Sequence, residues 1–197
     1  TLEAAEQVYE DSIVAEASEQ GATGVPEGFM LDTVAALVDK SLLQRADSAS
    51  RDSRFVMLET IREFGLEVLA GDDKDVDTRR AHATYFLRLA EAAEAEFSGP
   101  ERGTWLARLR DDRDNLRAAL AWSLSAGEPA IALRLGAALW RFWVSEGALR
   151  EGLGWLERAL AAGGDVIPSA RAKALHHLGN LALDLGDHSR ARTLYEA

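Results

Sequence analysis

Cysteine is absent from all 197 residues. That excludes a disulfide framework, a thiolate nucleophile and any cysteine-held metal. No apolar run approaches the roughly 18 residues of a membrane span, and no signal-peptide pattern is visible. The chain is therefore expected to be cytoplasmic and to have no membrane partner. Lysine is scarce: Lys40, Lys74 and Lys173 are the only three. Lys40-Ser41 ends like a phosphate-binding loop, but Asp39 stands where the loop needs glycine, so no backbone cradle for phosphate is expected. The four histidines are His82, His176, His177 and His188. None pairs with another at metal-ligand spacing on a helix face, and the adjacent His176 and His177 point in different directions. Carboxylates such as Asp72-Asp73 read as solvation, since no nucleophile gathers beside them. The expectation is a chain that is not an enzyme, with no catalytic residue, no metal and no cofactor of its own.

What is present is hydrophobic content of 47%, enough for one or two cores, and a formal charge of −11. The charge is uneven. Residues 1–75 hold six basic residues (Lys40, Arg45, Arg51, Arg54, Arg62, Lys74) against 17 acidic ones, whereas residues 76–197 are balanced at 16 each. The whole acidic excess therefore belongs to the first segment. The composition step at Gly71-Asp72-Asp73-Lys74-Asp75 ends a helical run and marks the expected domain boundary.

The second segment, 76–197, reads as helical hairpins. Leu175, Leu178, Gly179 and Ala182 share a face of one helix, Gly186-Asp187 breaks it, and Ala191 and Tyr195 share a face of the next. Small residues at 179 and 191 fit a close helix crossing, and the pattern is that of most of a tetratricopeptide repeat. Leu135, Gly136 and Leu139, then Gly147, Gly152, Leu156 and Ala159, give an earlier copy. Gly136 and Gly179 are 43 residues apart, longer than the usual period of about 34. An extra turn before Gly147 and a linker from Ala161 to Pro168 accommodate the surplus. Upstream, 78–97 and 105–126 are two further helical stretches, separated by Ser98-Gly99-Pro100.

The first segment, 1–75, has a different order. Val34, Leu37, Val38 and Leu42 recur at helical spacing after Asp32, a candidate N-cap, and the run passes into a strand at Leu42-Leu43-Gln44-Arg45. Ala46 to Ser50 is turn-rich, Arg54 to Met57 is a second strand, and Thr60 to Leu69 is helical through Ile61, Phe64 and Val68. Helix, strand, turn, strand, helix predicts a winged helix. The fold class expected is thus mainly α: a winged helix with a small β-hairpin wing, then an α-solenoid of tetratricopeptide-like hairpins.

Winged helices often place a helix in the major groove of DNA. Here the corresponding helix, Leu31 to Leu43, offers Lys40 alone beside Asp32 and Asp39, in a segment of charge −11. Duplex binding draws its affinity from Lys and Arg against phosphate, so no direct DNA binding is expected. Arg108, Arg110, Arg113 and Arg117 form a basic cluster, but Asp111, Asp112 and Asp114 interleave with it, and an Arg110–Asp114 pair is expected on an ion-paired face.

Leu37-Val38-Asp39-Lys40-Ser41-Leu42-Leu43, followed by Arg54 to Phe64, resembles the winged-helix region of signal-transducing NTPases with numerous domains, whose nucleotide-binding part is NB-ARC-like. Arg79-Arg80-Ala81-His82 with Tyr85-Phe86, then Asp114 to Trp122, resembles the large bacterial transcription regulators of that class, of LuxR or SARP type. Thr1 to Glu6 resembles the opening of that winged helix. The resemblance implies an ATP-dependent, signal-sensing regulator in which the winged helix docks on its own chain's NTPase domain and the repeats receive a protein or small-molecule signal. ATP or ADP would then bind in parts outside this segment, oligomers would be possible, and both ends would be cut from a longer protein. Relatives place a methionine-histidine-aspartate motif near the phosphates of ADP. Met57-Leu58-Glu59 occupies that place, but leucine neither donates to phosphate nor titrates, and Leu58 reads more simply as core. In tetratricopeptide repeats the first helix of each pair lines a concave groove, which would put Lys173, His176, Asn180 and Asp184 on one stripe and Trp140 and Arg141 in the preceding repeat. The alternatives are a stand-alone repeat scaffold linking proteins, and a winged-helix DNA-binding protein.

Overall fold

The structure is a computed structural model that describes residues 1–20, 28–46, 53–164 and 166–197, with the backbone alone for 14–20. It divides into two compact units, Thr1–Tyr85 and Phe86–Ala197. The predicted border, Gly71 to Asp75, spans the turn between two helices and the first residue of the second, and the division into units falls ten residues later, inside that helix.

In the first unit, α1 spans Leu2–Gln20 and packs on α2, Phe29–Asp39, with the Tyr9 and Phe29 rings 5.4 Å apart. Strands β1, Gln44–Ala46, and β2, Arg54–Val56, pair antiparallel with Arg45 opposite Phe55. Then come α3, Glu59–Ala70, and the start of α4, Asp75–Glu96. The predicted turn at 46–50 lies outside the described residues except for Ala46, which ends β1. Helix, hairpin and helix follow in the predicted order. Gly28, at φ 83°, occupies the N-cap of α2; Asp32, expected there, lies in the first turn, where its charge still suits the helix dipole. The α2 helix ends as Ser41 takes a left-handed φ of 58°, which lets the amide N–H groups of Leu42 and Leu43 reach the Leu37 carbonyl.

The apolar spacing of this unit is helical, yet little of it is covered. Val34 is the only buried apolar residue described before Ala81. On α3, where Ile61, Phe64 and Val68 carry the predicted helical periodicity, no residue is buried, and Phe64 is 66% and Val68 59% exposed.

The second unit begins with the C-terminal half of α4, whose Phe86, Leu87, Leu89, Ala90 and Ala93 are buried. Helices α5, Arg102–Asp111, and α6, Arg113–Ser125, follow. The sequence suggested one helix over 105–126; the chain instead turns at Asp112, a buried carboxylate that accepts from Asn115 Nδ2 at 3.0 Å. Helices α7, Pro129–Ala138, and α8, Trp140–Ser145, are separated at Leu139 and lead to α9, Leu149–Ala161. Finally α10, Pro168–Asp184, packs on α7 and α9 and pairs with α11, His188–Glu196. Gly147 and Gly186 make the sharp reversals at φ 67° and 84°, and Asp187 Oδ1 caps α11 by accepting from the Arg190 amide.

The helix crossings need the small residues the sequence put there. A Cβ on Gly179 would lie 2.9 Å from Tyr195 Cδ1 and closer still to Cε1, and one on Gly152 would lie 2.9 Å from Trp143 Cγ and closer still to Cδ2 and Cε3. Across the outer face, Glu146 accepts from Arg110 at 2.6 Å and from Arg113 at 2.5 Å, and Glu151 accepts from Arg117 at 2.7 Å. Arg110 therefore pairs with Glu146 from another hairpin rather than with Asp114, which pairs with Arg117 at 3.4 Å. The face is ion-paired as expected, but its bonds join α5 and α6 to the α8–α9 turn and to α9.

Candidate functional site

The residues that converge most closely lie in the second unit, between the end of α4 and the first helices of the following hairpins, α7 and α10. Glu91 and Glu94 are one turn apart on α4, so both carboxylates project from one face. Arg134 of α7 grips Glu91 through Nε and Nη2, each at 2.9 Å, and Lys173 Nζ of α10 lies 2.5 Å from Glu94. A cavity of about 200 Å³ is lined by Glu91, Arg134 and Lys173 together with Ala137, Ile167, Ser169 and Ala170; Glu94 adjoins it through Lys173 and is not part of the lining. Beside it, Arg141 lies 5.2 Å over the Trp140 ring and donates to Ser98 Oγ at 3.1 Å.

Two of these bonds, Glu91 to Arg134 and Ser98 to Arg141, join residues 43 apart. Ala93, Gly136 and Gly179 are three buried small residues at the same interval. The end of α4 thus stands to α7 and α8 as one first helix stands to the next. The repeated interval was present in the sequence, and testing it at charged pairs as well as at glycines would have found Glu91 and Arg134.

His177 is the other residue the sequence reading passed over. It sits on the core stripe with Ala174, Leu178 and Leu181, is 8% exposed, and stacks on Trp140 with ring centroids 4.9 Å apart. Its Nδ1 lies 2.8 Å from the Ala137 carbonyl, which only accepts, so Nδ1 carries the proton. Burial, more than the nearby Lys173, His176 and Arg141 charges, pushes its pKa down to about 4. The ring is neutral at physiological pH.

The predicted groove residues, four on α10 and two on α8, meet different neighbours. Lys173 pairs with Glu94 of α4, Arg141 donates to Ser98 just past the end of α4, and Trp140 stacks on His177. His176 and Asn180 turn instead toward α11: the His176 and Tyr195 rings are 5.5 Å apart, and the Tyr195 hydroxyl donates to Asn180 Oδ1 at 2.8 Å. His176 also lines a cleft of about 540 Å³ with Leu175, Leu194 and Tyr195. Asp184 is exposed at the end of α10.

In the first unit, Met57-Leu58-Glu59 joins β2 to α3. Leu58, expected in the core, is 51% exposed in the short link between the end of β2 and the start of α3. Glu59 instead grips Arg62 through two bonds, of 2.5 and 3.1 Å, which hold its carboxyl below the usual range. The exposed apolar set, Phe29, Leu31, Val56, Leu58, Phe64, Leu66 and Val68, is interspersed on α3 with exposed Glu59, Glu63 and Glu67.

Residues 13–70 match a winged helix-turn-helix domain family. The chain is also 37% identical over 131 residues to a candidate HTH-type transcriptional regulator of Mycobacterium bovis and to the same-named type of protein in two strains of Mycobacterium tuberculosis. That similarity covers 66% of this chain and 14% of each relative, so the chain spans about a seventh of their length. No solved structure matches the chain significantly. The chain thus contains a winged helix and is homologous to proteins named as transcriptional regulators. Among the described residues, no helix is long and apolar enough to cross a membrane.

Proposed function

We propose that this chain is a non-catalytic regulatory segment of an ATP-dependent, signal-sensing transcriptional regulator in the cytoplasm. The winged helix, bounded near residue 75, docks on an NTPase domain elsewhere in its polypeptide, and the helical hairpins, of tetratricopeptide kind, receive the signal. The observation that carries this reading is the surface of α2 and α3. The helix in the recognition position exposes Leu31, Asp32, Ala35 and Asp39 with Lys40 as its single cation, and α3 exposes Phe64 and Val68 among carboxylates. Such a surface gains from covering apolar area and loses against phosphate. The 43-residue translation from α4 to α7 supports the repeat reading, because stacked repeats place equivalent residues side by side.

A second reading, DNA binding by the winged helix itself, is favoured by the family match over 13–70 and by the names of the relatives. Fluorescence anisotropy with duplex DNA at physiological salt separates the two. The docking reading expects no binding by this chain; sequence-specific binding at micromolar affinity or tighter replaces it with the second. A self-contained scaffold of repeats, the third possibility, expects no nucleotide-binding loop in the full-length polypeptide.

A further inference from the structure

The cavity between α4, α7 and α10 alternates its charges in a way that selects among ligands. Arg134 and Lys173 lie opposite Glu91 and Glu94, and all four are partly exposed, between 19% and 47%. Exposed pairs of this kind contribute little to stability, so a competing ion displaces them cheaply. A lone anion entering the cavity would take the Arg134 fork and leave Glu91 without its partner against a concave wall. A lone cation would leave Arg134 in the same position. A molecule carrying both charges replaces both halves of the Glu91–Arg134 pair at once: its carboxylate accepts from Arg134 and Lys173 while its ammonium donates to Glu91. The first turn of α10 carries Ser169 and Ala170 into the wall and has no side-chain cap from Ile167, so the cavity also borders a positive helix end. The volume of about 200 Å³ equals roughly seven waters' share of liquid. That is too small for a nucleotide, and Ala137 and Ile167 offer contact to a short apolar side chain.

We propose that this cavity binds a small zwitterion of the free α-amino-acid type, with its carboxylate on Arg134 and Lys173 and its ammonium on Glu91. The proposal rests on the reading that the hairpins receive the signal, but its test reads the cavity alone and leaves the docking of the winged helix to the DNA and full-length experiments. The test is calorimetric titration of this chain with alanine, valine and leucine, each also as its amide, which is a cation, and as its N-acetyl derivative, which is an anion. The free amino acids are expected to bind, and blocking either end is expected to weaken binding by at least about tenfold, the scale of losing one charge-assisted bond. Arg134→Gln and Glu91→Gln should each cause a similar loss, while Arg158→Gln, outside the cavity, leaves binding unchanged. The blocked probes make the same comparison on unaltered protein. Absence of heat with all three free amino acids at millimolar concentration overturns the proposal. So does equal binding of the N-acetyl forms, which defines a plain anion site, or of the amides, which defines a plain cation site.

Discussion

Two helices of this chain carry similar amphipathic patterns and meet opposite fates. Helix α10 buries Ala170, Ala174, His177, Leu178, Gly179, Leu181 and Ala182, whereas α3 buries nothing. Both have apolar residues at three- and four-residue intervals, so the pattern specifies a face and says nothing about what covers it. In the hairpin unit the cover is supplied by neighbours in sequence, α7, α9 and α11. Within the winged-helix unit no described element lies on Phe64 or Val68, each more than half exposed. Stability in the second unit is thus local and cumulative, while the first carries apolar surface that a partner would bury.

The contrast is broken most directly at Gly152. Trp143 is 3% exposed and has no room to move away from a new side chain. Gly152→Leu is expected to destabilise the hairpin unit by about 3 kcal/mol, at the upper end of overpacking costs, read as a lowered urea midpoint of the helical signal. An unchanged midpoint would mean that α8 and α9 do not cross there.

His177 gives the next effect, and its sign follows from its folded pKa of about 4 against an unfolded value of 6.5. Between those values the unfolded chain binds the proton and the folded chain does not, so stability falls as the pH is lowered through that window and is complete above it. The loss is at most about 3 kcal/mol, at 1.36 kcal/mol per pKa unit. His177→Gln should flatten this part of the pH profile, so that wild type and variant converge toward pH 4. Parallel profiles would show that the ring is solvated. The first 75 residues contain no histidine, which places this sensitivity outside the acidic segment.

How much of this was legible depends on the kind of signal. The turns at Gly147 and Gly186 and the crossing at Gly179 were readable because glycine marks a backbone constraint directly. The break at Asp112 was not, since Arg110-Asp111-Asp112-Arg113 contains no glycine or proline to mark it. His177 was overlooked because adjacency to His176 argued only against a metal pair; its place on the Ala174–Leu181 stripe was the better clue. Leu58 was expected in the core and is exposed, and the helical spacing of Phe64 and Val68 carried no information on whether they are covered. Local periodicity does not count the neighbours available to cover a face. The stripe Lys173, His176, Asn180 and Asp184 keeps within about a quarter of the helix circumference, and its members meet different neighbours: Lys173 pairs with Glu94 of α4, while Asn180 accepts from Tyr195 of α11.

Gly179→Leu tests the weaker end of the same unit. The new side chain meets Tyr195, but that ring is 46% exposed near the end of α11 and can swing outward. The expected cost is about 1 to 2 kcal/mol, less than at Gly152. An equal or larger loss would show that α11 is held as firmly as α9.

The smallest expected effect carries the comparison back to the winged helix. Phe64→Ser with Val68→Ser removes two large apolar side chains, yet each is already in water, so the stability of this chain should change by less than about 0.5 kcal/mol per site, as for ordinary surface positions. Leu133→Ser and Leu181→Ser, at 1% and 0% exposure in the hairpins, would be far more damaging. The same pair of α3 substitutions should matter in the full-length polypeptide if the apolar face is covered there. Protection of 59–70 from hydrogen exchange would then appear in the full-length protein and be lost in the double variant. A large stability loss in the isolated chain would instead place Phe64 and Val68 in a core of the unit itself, and would remove the reason for assigning α3 to a partner.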